Sequence, residues 1–330
     1  MRLGLLVGIG EDWRETVEKA RIAEELGYER VSSAESWSPS PLPLLTAIAL
    51  STSKIEVGTS ILNCFSRTPA ALAQEFASLD VISEGRAVLG LGSSGAYVIE
   101  HFHGLAFGKP LTRLREYVEI FNMLMAREPL NYEGEIFQMS RGFTLRGQTY
   151  RDHIPVYIAA ITPKSIRQTG AIADGIIPIH WPRHHFETLR SQLAEGASEA
   201  GRDVAELTIA PQVHLHILDG TNDEEAWQQA RQPLQYYVNR MGVFYWQMLS
   251  RNGFEAEVAA SREAWAKRDA EGSFKAISDA MVREIEVIGP LESVREQLQE
   301  RSELGADLQM LHMPAGSVAG VGKTLEALIR

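Results

Sequence analysis

The sequence predicts one α/β domain over residues 1–330: a (β/α)8 TIM barrel with insertions after strand four and between strands seven and eight. Three observations predict it. Eight short apolar segments recur along the chain, most as continuous rather than alternating runs, as parallel strands covered on both faces require. Helical patterns separate them. The segments begin near Arg2, Glu29, Ile55, Arg86, Pro155, Gly175, Leu207 and Asp307, at intervals of 27, 26, 31, 69, 20, 32 and 100 residues. The short intervals fit βα units, and the two long ones mark insertions.

The first strand is RLGLLVGI, and Asp12 can cap the helix WRETVEKARIAEEL, which closes at Gly27. A glycine there commonly supplies the left-handed C-terminal turn. The second strand, ERVSSA, is the weakest, because Ser32 and Ser33 interrupt it. IEVGTSI follows, and Pro69 then opens PAALAQEFASLDVIS before Gly85 and the strand RAVLGLG. The first insertion, about 93–150, holds a loop, the helix LTRLREYVEIFNMLMA and a hairpin-like NYEGEIFQ…GFTL. PVYIAA leads into PKSIRQTGAIAD, opened by Pro163; GIIPI and LTIAPQVHLHIL come next. The second insertion, about 219–306, reads as almost wholly helical and ends with PLESVREQLQERSEL, opened by Pro290, before DLQMLHM. Proline just inside a helix start costs little, because that position needs no N–H. No linker or composition break divides the chain.

Composition excludes several classes of function. With 45% apolar residues a large core is available, and a net charge of −11 argues against nucleic acid or anionic membrane as partner. The single cysteine, Cys64, allows no intrachain disulfide and no CxxC motif. The short apolar start meets Glu11 and Asp12, unlike a signal peptide, and no run approaches the roughly 18–20 residues of a membrane span. A cytoplasmic protein is expected.

In a barrel, chemistry sits on the loops that follow the strands. Gly90-Leu91-Gly92-Ser93-Ser94-Gly95 matches GxGxxG, but about 20 residues later comes a helix rather than an acid ending a strand. A Gly/Ser loop approached closely by a flat ligand fits better than a dinucleotide fingerprint. The pairs His214/His216 and His101/His103 lack a carboxylate at ligand-like spacing, so structural or substrate-contacting histidines are favoured over a metal site. Arg113, Arg115, Glu116 and Glu119 read as surface pairs of a helix. The aromatic run Tyr236, Tyr237, Phe244, Tyr245 and Trp246 fits either packing or a wall over a ring-shaped ligand. Glu35, followed by Ser36 and Trp37 at a strand end, is an unusual turn residue and could contact a ligand or move a proton. As a ligand-serving group, its replacement by glutamine is expected to change stability little.

Together AESWSPSPLPLLTAIALSTSKIEVGTSILNCFSRTPAALAQEFASLDVISEGRAVLGLGSSG, HGLAFGKPLTRLREYVEI, PVYIAAITPKSIRQTGAIADGIIP and IGPLESVREQLQERSELGAD resemble the luciferase-like monooxygenase superfamily. Within it they resemble the branch using the deazaflavin coenzyme F-420, closest to sequences like methylenetetrahydromethanopterin reductase. The combination GTSILN…RTPA…AQ…LD…S.GR…LGLG carries the specificity. The resemblance implies a coenzyme ring at the barrel mouth, against a bulge containing a cis peptide between Ser60 and Ile61. It implies contacts from Glu35, Asn63, Ser93 and Ser94, and a phosphate site at Ile161, Thr162, Ser165 and Ile166, beside Lys164 and Arg167. Sugar-phosphate dehydrogenases of the branch carry a histidine where Ser36 stands and a glutamate where Gly95 stands, so sugar-phosphate oxidation is not expected. The expected function is hydride transfer between F-420 and a small organic substrate, with Glu35 at the ring's polar edge, His103 delivering a proton, and a homodimeric assembly. An FMN-dependent monooxygenase and a non-catalytic ligand-binding barrel are the alternatives.

Overall fold

A computed structural model describes residues 1–330. The strands are β1 (Leu3–Val7), β2 (Arg30–Ser33), β3 (Glu56–Thr59), β4 (Leu62–Asn63), β5 (Ala87–Gly92), β6 (Leu130–Glu133), β7 (Gln138–Phe143), β8 (Val156–Ile158), β9 (Gly175–Ile176), β10 (Thr208–Ile209), β11 (Gln212–Val213), β12 (Leu215–Ile217), β13 (Val287–Gly289) and β14 (Gln309–His312). The helices are α1 (Trp13–Leu26), α2 (Pro41–Ser51), α3 (Pro69–Ile82), α4 (Ala96–His101), α5 (Pro110–Met125), α6 (Pro163–Ile172), α7 (Phe186–Glu199), α8 (Asp223–Arg240), α9 (Val243–Leu249), α10 (Glu255–Ala266), α11 (Ala270–Lys275), α12 (Asp279–Ile285), α13 (Leu291–Glu303) and α14 (Val318–Ile329).

Ten strands form one parallel sheet in the order β10-β9-β8-β5-β3-β2-β1-β14-β11, with β4 added beside β5. The sheet curls until its two ends, β10 and β11, are separated in sequence by only Ala210 and Pro211. The period-two alternation of strand side chains explains the two cores. Leu3, Leu5 and Val7 face the surrounding helices within one large cluster. Leu6, Val88, Tyr157, Ile177, Ala210, Leu308 and Met310 turn inward and touch each other inside the curl, with Ile61 packed on them. No helix is long and apolar enough to cross a membrane.

The eight apolar segments all become strands, including the weak second one. Ser32 and Ser33 are buried there, in register with Gly58 and Thr59 of β3. Asp12 caps α1 and Gly27 ends it at φ 91°. Pro290 lies one position earlier than expected, at the cap of α13 rather than inside it. Helix α2, which the sequence reading left out, is opened by Pro41 and buries Leu44, Leu45 and Ile48.

One expectation is overturned. Glu116 is not on a surface: it is fully buried, and its carboxylate accepts the N–H groups of Glu135, Ile136 and Phe137 at 2.7, 3.0 and 3.0 Å. It fastens the β6–β7 hairpin onto α5. Spacing along α5 could not reveal this, because the partners are backbone groups about 20 residues away.

Candidate active site

The C-terminal ends of β2, β3, β5 and β8 converge on one rim. The peptide bond between Ser60 and Ile61, at the β3–β4 junction, is cis. Glu35 N–H donates to the Ile61 carbonyl at 3.1 Å, and Ser60 N–H to that of Ser33 at 2.9 Å, so the loop after β2 holds the bulge from one side. From across the curl, Gln212 Nε2 donates to the Ser60 carbonyl at 3.2 Å and approaches its hydroxyl at 3.1 Å. Behind Ile61 only small residues fit: a Cβ at Gly92 would stand 3.1 Å from Ile61 Cδ1, and one at Gly90 would stand 1.9 Å from the Thr59 carbonyl oxygen.

Asn63 organises the polar edge. Its Oδ1 accepts Phe65 N–H at 2.9 Å and Ser66 N–H at 2.7 Å, which fixes the amide's orientation. Its Nδ2 then donates to Glu35 Oε1 at 2.8 Å and lies 3.4 Å from His103 Nε2. A donor facing Nε2 makes that nitrogen the acceptor and puts the His103 proton on Nδ1. Three expected site residues, Glu35, Asn63 and His103, thus stand in one network beside Ile61.

Glu35 is more tightly held than the sequence implied. Oε1 also accepts from Ser66 Oγ at 3.1 Å, and Oε2 pairs with Arg67 at 2.7 Å, both side chains largely buried. Removing one partner of such a pair leaves a partly desolvated charge, although Arg67 keeps Glu75 at 3.1 Å. Glu35→Gln should therefore cost about 1–2 kcal/mol, contrary to the sequence expectation of little change. Urea unfolding of the two proteins measures it, and coincident midpoints would show that Glu75 alone satisfies Arg67.

Ser93 and Ser94 follow β5 at the same rim; Ser93 Oγ donates to the Ser94 carbonyl at 3.2 Å, and Ser94 has a left-handed backbone at φ 57°. The segment 161–166 lies at the start of α6, where Thr162 and Ser165 form a reciprocal capping box. Ser165 N–H goes to Thr162 Oγ1, Thr162 N–H to Ser165 Oγ, and Ile166 N–H to the Thr162 carbonyl. Three of the four expected phosphate donors, the N–H groups of Thr162, Ser165 and Ile166, are thus engaged internally. Arg167 pairs with Glu195, and Lys164 has no ion-pair partner. Cys64 is buried and its thiol is pushed up to about 12 by burial, so it offers no thiolate chemistry.

A second cluster was not read from the sequence. Glu286, immediately before β13, is buried with both oxygens occupied: His180 Nδ1 at 3.2 Å and His214 Nδ1 at 2.9 Å. His214 stacks on His312, ring centroids 3.9 Å apart, and Tyr237 meets the His180 ring edge-on at 4.5 Å. Tyr245 packs on Tyr237 in turn, so part of the aromatic run walls this cluster. His216, two residues from His214 in the sequence, is not bonded to Glu286. The four residues are dispersed over positions 180 to 312, and only His214 stood out in the sequence.

The chain belongs to the luciferase-like monooxygenase family, whose model matches residues 1–308. A Mycobacterium tuberculosis protein whose name assigns it to the coenzyme F-420-dependent oxidoreductases is 29% identical over 100% of this chain and 99% of its own length. The 5,10-methylenetetrahydromethanopterin reductase of Archaeoglobus fulgidus is 26% identical over 92% of each chain. Among solved structures, the F-420-dependent tetrahydromethanopterin reductase of Methanopyrus kandleri superposes with a TM-score of 0.83 at 23% identity, covering 100% of this chain and 97% of that one. An FMN-bound Baeyer-Villiger monooxygenase from Pseudomonas putida shares the fold at 20% identity and a TM-score of 0.70, covering 100% and 97%.

Proposed function

We propose that this protein transfers a hydride between coenzyme F-420 and a small organic substrate bound at the rim of β2, β3 and β5. The observation that carries the reading is the network of Glu35, Asn63 and His103 beside Ile61. It sets a polar edge next to an apolar platform, as a planar ring with one polar side requires. The names of the full-length relatives support F-420, and the FMN-bound neighbour shares only the fold. When bound, the deazaflavin supplies two-electron chemistry. The protein's residues do the rest. Ile61 and the small residues behind it support a flat ring, Asn63 and Glu35 fix its polar edge, and Ser93 and Ser94 line the approach. The hydroxyls of Thr162 and Ser165, with Lys164, would turn from their internal bonds to the phosphate at the start of α6. Closure of the sheet into eight strands as one domain over 1–330, homodimeric assembly and a cytoplasmic location belong to the same proposal. For closure, the support is that Gln212 N–H bonds the Pro178 carbonyl on one side and Met310 N–H bonds that of Pro211 on the other.

Absorbance and fluorescence titrations with F-420 and with FMN test the reading. F-420 should bind at least about tenfold more tightly than FMN, and Asn63→Ala should weaken it about tenfold, the worth of one hydrogen bond. Tighter FMN binding would favour the monooxygenase, and F-420 binding without turnover of any substrate would favour the non-catalytic reading.

A further inference from the structure

We propose that His214, seated on Glu286, is the residue that exchanges a proton with the substrate during hydride transfer, and that the substrate therefore carries a polar double bond. This rests on the F-420 reading above.

The chemistry needs such a group. A hydride added to the carbon of a carbonyl, imine or conjugated alkene leaves an electron pair on the neighbouring atom, and that atom must be protonated. Ser36 and Gly95, on the loops after β2 and β5, cannot supply a proton of suitable acidity, and the Glu35 carboxylate is held by Arg67 and Asn63. His103 is committed at Nε2 as an acceptor from Asn63.

Topology brings His214 to the same space as Ile61. Ala210 faces the interior of the curl, in the cluster on which Ile61 packs. Gln212, two residues on, shares that face and reaches Ser60. His214 is the next residue on it, about 6.6 Å further toward the rim. The neighbouring strand does the same: Met310 is in the inner cluster, and His312 follows it, with Val213 paired to Leu311. The stacked imidazoles are the upper continuation of the inner wall.

The cluster places one proton on the ring that can use it. Glu286 is held far below the usual carboxylate range by its two histidine partners and stays ionised in spite of burial. The same ion pair raises His214 above an ordinary histidine, whereas burial lowers His180 and pushes His312 down to about 3. His216 is lowered by burial too, and the buried Arg301 guanidinium lends Glu286 a further cation. Access follows the same division: the His214 side chain is 24% exposed, that of His180 1%. No protein atom bonds His214 Nε2. His180 adopts a left-handed backbone at φ 53°, which a non-glycine residue rarely takes, to bring its ring onto Glu286.

In the reductive direction the His214 Nε2–H bond breaks, and the proton forms a new bond to the substrate atom that received the electron pair. The adjacent carbon takes the hydride that the bound coenzyme supplies. Neutral His214 regains a proton from water at its exposed edge. In the oxidative direction the same ring accepts the proton.

The first test needs no coenzyme. In protein labelled with 15N-histidine, His214 should titrate above the ordinary histidine value of roughly 6.5, with His312 neutral at pH 7. Glu286→Asp or Glu286→Gln should move the His214 titration down by at least one pH unit. The second uses reduced F-420 with cyclohexanone, 2-cyclohexen-1-one and a cyclic imine as probes. His214→Gln, at a part-exposed position, should lower kcat at least 100-fold while F-420 affinity stays within threefold. The high-pH fall of kcat should shift down with the Glu286 variants. A His214 titration at or below the ordinary histidine value, kcat within threefold in His214→Gln, or no turnover of any probe by coenzyme-loaded wild type overturns the proposal. So does one equivalent of zinc bound tightly by His180, His214 and Glu286, whose ligand atoms lie within 4.8 Å of one another. Failure of F-420 to bind overturns the coenzyme reading and this proposal with it, whereas probe turnover that is unimpaired in His214→Gln overturns the proposal alone.

Discussion

Replacing Glu116 by alanine should lower the unfolding free energy by about 3 kcal/mol and release the β6–β7 hairpin from α5. The size follows from what is lost. The carboxylate is fully buried and takes three consecutive backbone N–H groups, each a charge-assisted bond. Those bonds hold its pKa below the usual carboxylate value in spite of burial. The stability it lends is present above the unfolded pKa of roughly 4.3 and is lost as pH falls through the lower folded value. Gly134 is part of the same device, since a Cβ there would collide with the Glu116 carboxylate. Glu128, exposed just past the end of α5, is the control: Glu128→Ala should change stability by less than about 0.5 kcal/mol. Urea unfolding gives the free energies, and limited proteolysis reports whether 130–143 becomes the first cleaved segment. Equal costs for the two variants would remove the structural role of Glu116.

The protein should lose about 2 kcal/mol between pH 6.5 and pH 5 through His312 alone. Burial holds this imidazole neutral down to about 3, whereas in the unfolded chain it titrates near 6.5. Below pH 6.5 the unfolded state binds a proton that the folded state refuses, so stability falls with pH at about 1.4 kcal/mol per unit. His180, lowered by burial as well, adds to the same slope. His312→Phe keeps an aromatic ring against His214 and has nothing to titrate. Its unfolding free energy should be flatter over this interval. A variant as acid-sensitive as the wild type would assign the effect elsewhere.

The strands and most helices were legible because they are written in runs: apolar segments for parallel strands, and capping residues such as Asp12 and Gly27. Even the weak second strand followed from its position in the βα order, since a parallel ladder on both sides satisfies the backbone of the buried Ser32 and Ser33. Helix α2 escaped because PLPLLTAIALS is apolar on all sides and shows little period. Glu35 stood out at its strand end, and the family resemblance pointed to Asn63 and Ser60 beside it, but nothing in the sequence showed that Glu35 pairs with Arg67, 32 residues away. The histidine cluster had no linear signature at all. Its members come from the ends of separate strands, and only the closing of β11 against β14 sets His214 on His312.

The parallel pairing of β12 with β13 forms a small two-stranded sheet of its own. It laces together the two ends of segment 218–286, in register from Leu215–Val287 to Ile217–Gly289. The chain-closure penalty of that segment is met at this seam, whatever lies between, and doubling its length would add only about 0.6 kcal/mol. The five helices α8–α12 are therefore a cassette whose length can change at little entropic cost, provided a replacement still fills the places of Leu234, Val238, Met281 and Val282 in the main core. The constraint is local. Glu286 sits just before the first stitch, so a graft that keeps this residue with His180 and His214 keeps their hydrogen bonds, while Tyr237 and Tyr245 travel with the cassette.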